Sequence, residues 1–256
     1  MKWKTVLLTN DDGFRAPGIS ALAGVLTRIC RVFVVAPLDE RSACSRAMTI
    51  GKPVAVHETG TANHFPGAAG CYIVDGMPVD CVKLGLNSLI SEPVDLVISG
   101  INRGINTGID VHYSGTAGAA IEGHLMGKNA VAFSLDNDQK NADFSVAAGI
   151  CLKVLDWISQ LDAERFLFNV NIPDLPEADI AGLRVTRCNH FSYAEKYRID
   201  RSREHPCYFL EGERTGFEND PDTDLTAVMR GYVSITPLNH DNTDHAVFNK
   251  YKGEKP

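Results

Sequence analysis

No two of the seven cysteines are spaced as Cys-x-x-Cys, and their number is odd, so the chain carries neither a disulfide framework nor a thiolate zinc motif. Cys30, Cys44, Cys71, Cys81, Cys151, Cys188 and Cys207 read instead as reduced, mostly buried thiols of a cytosolic protein. Histidine offers no metal cluster: His57, His64, His240 and His245 stand in segments without ligand spacing. No apolar run is long enough to span a bilayer, and the first one breaks at Asn10-Asp11-Asp12. Neither a membrane anchor nor a signal peptide is expected, and the chain reads as cytoplasmic. Basic excess is missing too: 25 Lys and Arg face 32 Asp and Glu, a net charge of -7, which leaves no general footprint for a nucleic-acid duplex. GxxxxGK[ST] and GxGxxG are both absent, so P-loop hydrolysis and a dinucleotide fingerprint are set aside. Regular repeats and low-complexity tracts are absent as well.

The 256 residues, 44% hydrophobic and 22% charged, suffice for a full core without covalent staples. Charge is unevenly spread. Residues 1–50 carry seven Lys and Arg, Lys2 among them, against four acids, whereas 211–224 holds six acids and only Arg214. An acidic chain that handles an anion needs a local cation, either arginine or metal.

Apolar runs at 5–9, 32–36, 94–99, 130–134 and 166–170 read as strands covered on both faces. Helical periodicity lies between them at 17–29, 78–90, 117–126 and 141–161, and 48–74 reads as short strands with a hairpin. This alternation predicts an α/β fold, a Rossmann-like, doubly wound and mostly parallel sheet, over a core of 1–175. Beyond it, short runs at 183–185, 207–210 and 232–235 read as a β-rich extension, 176–256, that reaches away from the core without being an independent domain.

Three loops leave the carboxyl ends of strands, where ligands bind in open α/β sheets. The first carries Asn10, Asp11 and Asp12; the second is Arg41-Ser42-Ala43-Cys44-Ser45; the third runs from Gly100 to Gly108. Adjacent carboxylates repel, and a cation is the simplest remedy, although Asn, Asp and Gly are also ordinary turn formers. Carboxylates, hydroxyls and amides are hard donors that suit Mg²⁺, Mn²⁺ or Ca²⁺ better than zinc. The third loop repeats Gly-Ile-Asn-x, which places Asn102 and Asn106 equivalently if it makes successive turns. Ser114-Gly115-Thr116 precedes a helix and reads both as an N-cap and as an anion site. Together these predict phosphate-ester hydrolysis beside one divalent cation, by a metal-activated water or by direct attack of Asp11 or Asp12.

The residues that carry this reading also resemble a known family, the SurE-type survival-protein nucleotidases. The matching segments are Thr9-Asn10-Asp11-Asp12-Gly13 with Ala16-Pro17-Gly18, and Val35-Ala36-Pro37 with Arg41-Ser42, Ser45 and Thr49. They continue with Gly76-Met77-Pro78-Val79-Asp80, Asp95 to Asn102, Asn106-Thr107-Gly108 and Tyr113-Ser114-Gly115-Thr116, then Thr223-Asp224 and Gly231 to Leu238. The resemblance is dense over 5–135 and patchy over 165–240, with 190–222 matching weakly. It implies a metal-dependent phosphatase acting on nucleoside 5′- and 3′-monophosphates, in some members also on short polyphosphate. By position it implies Asp11, Asp12, Ser42 and Asn102 as ligands of one Mg²⁺ or Mn²⁺ per subunit. Asn106, Ser114, Gly115 and Thr116 would bind phosphate, with Asn10 beside them. It further implies a Rossmann-like sheet with a C-terminal β-hairpin arm exchanged between subunits of a homodimer or homotetramer. The family usually has Gly at Ala43, Ser at Ala47 and Thr at Met77, and often a small residue at Arg103. Two other readings fit the same residues: a non-catalytic nucleotide or metal sensor, and a sugar-nucleotide transferase.

Overall fold

The structure is a computed structural model that describes residues 3–253; Lys2 and the last three residues of the 176–256 extension lie outside them. The elements run β1 (Thr5–Thr9), α1 (Pro17–Leu26), β2 (Arg31–Pro37), β3 (Val56–Glu58), α2 (Thr61–His64), β4 (Gly70–Val74), α3 (Pro78–Leu84) and β5 (Leu96–Arg103). They continue with α4 (Gly115–Leu125), β6 (Asn129–Leu135), α5 (Ser145–Ser159), β7 (Leu167–Ile172), β8 (Gly182–Val185), β9 (Ser192–Asp200) and β10 (Cys207–Thr215). The chain closes with α6 (Asp224–Met229), β11 (Tyr232–Pro237) and α7 (His245–Tyr251).

Nine strands form one sheet in the order β3-β4-β2-β1-β5-β6-β7-β11-β8. From β4 to β7 every pair is parallel, whereas β3 and β11 join antiparallel. Strand side chains alternate between faces, so β1 sends Leu7 one way and Leu8 the other. Leu8 joins Val34, Ile98 and Phe133 under α1 and α5, through Leu22 and Leu155. Leu7 joins Val35 and Val97 under α3 and α4, through Val82 and Ala119. The sheet is therefore wound on both faces, which explains its continuous apolar runs. Strand order reverses at β1, with β2 on one side and β5 on the other. That reversal opens a crevice at the carboxyl ends of β1 and β5.

Several element limits differ from the periodicity. α1 ends at Leu26 rather than 29, and the chain turns there with the Cys30 N–H on the Leu26 carbonyl. α3 stops at Leu84 and widens into a π-turn over 85–89, because Gly85 rests on Leu7: a Cβ there would lie 2.4 Å from Leu7 Cδ1. α4 starts two residues before Ala117, at Gly115, since Ser114 caps it. α5 begins only at Ser145. β5 runs on through Gly100 to Arg103, with a register shift between Ser99 and Asn102 and a cis Gly100–Ile101 peptide, so the expected glycine loop is strand over its first four residues.

Of the short runs expected in the extension, 183–185 and 232–235 lie in β8 and β11 of the main sheet. β9 and β10 pair only with each other, as a C-terminal antiparallel hairpin of nine facing pairs. All seven cysteines are free, but only Cys71, Cys81 and Cys151 are buried; the other four are partly exposed, so the thiols are not mostly buried. Among the described residues no helix is long and apolar enough to cross a membrane.

Candidate active site

After β1 the chain turns sharply through Asn10 to Gly13. Asn10 is fully buried and donates from Nδ2 to the Gly13 carbonyl at 2.9 Å, so it ties the turn from beneath and does not face the crevice. Asp11 points at the start of α4. The Thr116 N–H donates to its Oδ2 at 3.0 Å, and the Thr116 hydroxyl donates to Oδ1. Gly115 permits this approach: a Cβ there would lie 2.8 Å from Asp11 Oδ2 and 2.7 Å from Cys44 Sγ. The helix end expected to receive an anion thus already holds one, the Asp11 carboxylate. Ser114 Oγ accepts from the Ala117 N–H at 3.0 Å, and its carbonyl from the Gly118 N–H. Of the first-turn donors, the Gly115 N–H alone has no acceptor among the described residues.

Burial pushes the Asp11 carboxyl up to about 6; the Thr116 hydrogen bond opposes the shift and the Asp12 charge adds to it. Burial also raises Asp12, against the Arg103 N–H that donates to its Oδ2 at 3.0 Å, with Glu40 pushing the same way as burial. Asp12 opens onto a neighbouring hollow of about 310 Å³ that it shares with Glu40 and Arg103.

The second loop is held against the short 3₁₀ turn, 108–112, that follows the third, the Ser45 hydroxyl donating to the His112 carbonyl at 2.7 Å. Ser42 donates to Glu40 Oε1 at 2.6 Å. Ala43 has φ 53°, the left-handed region, which explains why glycine suits this position; an L-residue costs about 1–2 kcal/mol there. Asn102 and Asn106 turn out not to be equivalent. Asn102, next to the end of β5, donates from Nδ2 to the Gly104 carbonyl at 2.8 Å, and its Oδ1 accepts no hydrogen bond among the described residues. Asn106 is knotted into the sheet: its Nδ2 donates to Ser134 Oγ, its N–H to Asn171 Oδ1, and its carbonyl accepts from Asn169 and Asn171.

Asp11, Ser42, Asn102, Asn106 and Ser114 face one open cleft of about 310 Å³. Its far wall is Asp110, Tyr113, Tyr193 and Arg214; Tyr113 stood in a matching segment without an assigned role, and the other three were in none. Tyr193 and Arg214 come from the hairpin, inside the stretch where motif matching is weakest, so no motif marked them; Arg214 stood out only as the one basic residue of the acidic 211–224 stretch. Two further motif residues position the site from behind. Asp80 accepts from the Thr49 N–H and hydroxyl, and Asp224 accepts from the Gly108, Asn189 and Leu225 N–H groups.

The donor set fits a hard dication. Two adjacent carboxylates are both held above their ordinary range by burial, and neither makes a salt bridge among the described residues. No group of three His, Cys, Asp or Glu side chains is placed to hold a metal among those residues, so hydroxyl and amide oxygens would complete the sphere.

Fold and site define a Rossmann-like α/β protein with an oxygen-donor cleft at the point where strand order reverses. The family model described as "Survival protein SurE" matches residues 6–195. Among relatives, the protein named 5′-nucleotidase SurE from Syntrophus aciditrophicus is 41% identical over 241 residues, 93% of this chain and 88% of that one. The protein of the same name from Synechococcus sp. is 42% identical over 248 residues, covering 95% and 94%. The crystal structure of the SurE protein from Aquifex aeolicus superposes with a TM-score of 0.82 at 36% identity, covering 97% and 98%. The chain belongs to the SurE family.

Proposed function

We propose that this protein is a divalent-metal-dependent nucleotidase that hydrolyses nucleoside 5′- and 3′-monophosphates in the cytoplasm. The observation that carries this reading is the Asp11 carboxylate set at the α4 N-terminus in an oxygen-lined cleft, with the adjacent Asp12 carboxylate facing the neighbouring hollow and neither in a salt bridge among the described residues. The names of the relatives support the substrate class.

Asp11, Asp12, Ser42 and Asn102 would hold one Mg²⁺ or Mn²⁺. Bound there, the cation would neutralise the paired carboxylates and polarise a phosphoryl oxygen. Ser42 would exchange its bond to Glu40 for the cation, a hydroxyl rotation. The Gly115 N–H and the Ser114 hydroxyl would hold phosphate oxygens at the positive end of α4. Asn106 edges the same cleft. Thr116 and Asn10 act at one remove, the first by fixing Asp11 and the second by fixing the turn. Both Asp11 oxygens already accept hydrogen bonds, which lowers their nucleophilicity. Asp12 keeps an oxygen free of hydrogen bonds among the described residues, and it is the group assigned to orient or deprotonate the attacking water. This favours attack by water over a phospho-aspartate.

The test is a panel of nucleoside monophosphates, short polyphosphate and p-nitrophenyl phosphate, run with EDTA and then with each metal restored. The reading expects phosphate release that EDTA abolishes, and a loss of at least about 10³-fold in Asp11→Asn and Asp12→Asn. Wild type no faster than Asp11→Asn would leave the sensor; transfer from sugar nucleotides without release from monophosphates would leave the transferase.

A further inference from the structure

The catalytic cleft does not end at its far wall. A second cavity of about 710 Å³ lies beyond it, and the two share Gly104, Ile105, Tyr193 and Arg214. Tyr193 and Arg214 are direct cross-strand partners at the base of the β9–β10 hairpin. They are locked to the core through Asp110: the Tyr193 hydroxyl donates to Oδ1 at 2.7 Å and Arg214 Nη2 to Oδ2 at 2.8 Å. The Arg214 guanidinium also lies over the Phe191 ring, 5.4 Å from its centroid. The wall between the cavities is therefore rigid and comes from the hairpin, whereas the groups assigned to the metal and phosphate come from the core.

Chemistry changes across that wall. Beyond it stand Asp136, Asn137, Asp138, Gln139 and Glu213. Among the described residues the Asp136 and Glu213 carboxylates accept no hydrogen bond, so they present free acceptors to the cavity. Arg214 is already paired with Asp110 and adds no free cation. Such a lobe repels further phosphate and suits a neutral group rich in hydroxyl donors. Its volume falls within the range of pockets for molecules of a few hundred daltons, and it opens directly from the cleft that would hold the phosphate.

Resting on the nucleotidase reading, we propose that this second cavity is the leaving-group lobe. It receives the nucleoside of a monophosphate, with Tyr193 and Arg214 as its specificity-determining wall and Asp136 as an acceptor for the sugar hydroxyls. The hairpin is then part of the active site, not only an arm. A small aryl ester needs only the phosphate cleft, so the two substrate types separate the two halves.

The full-length protein with Mn²⁺ is assayed on 5′-AMP, 2′,3′-dideoxy-AMP and p-nitrophenyl phosphate. Arg214→Met is expected to lower kcat/KM for 5′-AMP about tenfold or more, mainly through KM; because Arg214 also lines the phosphate cleft, the readout is the ratio of losses, the loss on 5′-AMP exceeding that on p-nitrophenyl phosphate by about fivefold or more. Asp136→Ala, on an exposed edge outside the Asp110 tie, is the second variant. It is expected to collapse a wild-type preference of about tenfold or more for 5′-AMP over the dideoxy analogue to near unity. Equal losses on ester and nucleotide in Arg214→Met, or an undiminished ribose preference in Asp136→Ala, overturn the proposal; should Arg214→Met not fold, Asp136→Ala decides alone. Wild type that turns over the ester but no nucleotide overturns the nucleotidase reading instead.

Discussion

At the scale of single residues, the site is built by placing charge where the apoprotein pays for it. The Asp11 carboxyl stands near 6 against an ordinary 3.8, and burial is the main cause. A carboxyl whose folded value lies above its unfolded one favours folding in its protonated form. That contribution is fully present below the unfolded value and is lost as pH rises through about 6. The metal-free protein is thus expected to lose stability between about pH 4 and 6 at this group, by about 3 kcal/mol at most. Asp11→Asn is expected to raise the stability of the EDTA-treated protein at pH 8 by about 1–3 kcal/mol and to erase stabilisation by Mn²⁺. Urea melts with and without metal check both, and an Asp11→Asn protein that metal still stabilises would remove Asp11 from the ligand set. Residue identity was legible in the sequence where it rests on chemistry: paired carboxylates closing a strand need little context. Ownership of hydrogen bonds was not. Nothing local says that Thr116 serves Asp11 or that Asn106 is tied to Asn169 and Asn171, because those partners are 63 to 105 residues apart and meet only across the sheet.

At the scale of elements, the parallel strands were readable because burial on both faces leaves uninterrupted apolar runs. Helix limits were less so, since they depend on contacts that periodicity does not carry, as at Gly85 against Leu7. The Gly-Ile-Asn repeat misled for a related reason: its first copy is claimed by pairing with β6, Asn102 opposite Ser134, and its second by a turn. Close approach of α4 to the Asp11 turn is the element-level device on which the site depends. Gly115→Ala would put a methyl 2.8 Å from the Asp11 carboxylate. It is expected to cost about 1–3 kcal/mol of stability and to cut turnover by about 100-fold or more. Thermal unfolding and steady-state assays read the two effects, and a fully active Gly115→Ala enzyme would show that the approach is dispensable.

At the scale of the whole molecule, a catalytic core and a hairpin meet at one wall. Tyr197, Ile199, Tyr208 and Leu210 share one hairpin face through the pairs Tyr197–Leu210 and Ile199–Tyr208, and all are exposed. A lone two-stranded ribbon with an apolar face is marginal in water, which supports its burial against a second copy in a homodimer or homotetramer. Tyr208→Glu with Leu210→Glu is expected to yield monomers in sedimentation equilibrium; an unchanged mass would place the subunit contact elsewhere. The sheet order was legible only as a class, because the reversal at β1 follows from long-range pairing. Yet that reversal is what lets turns from β1, β2 and β5 face one cleft. Anomalous diffraction from manganese-soaked crystals tests this convergence most directly. The account predicts one ion per chain, about 2.1 Å from Asp11 and Asp12 oxygens with Ser42 and Asn102 in the same sphere. An ion bound away from the Asp11–Asp12 turn would contradict it.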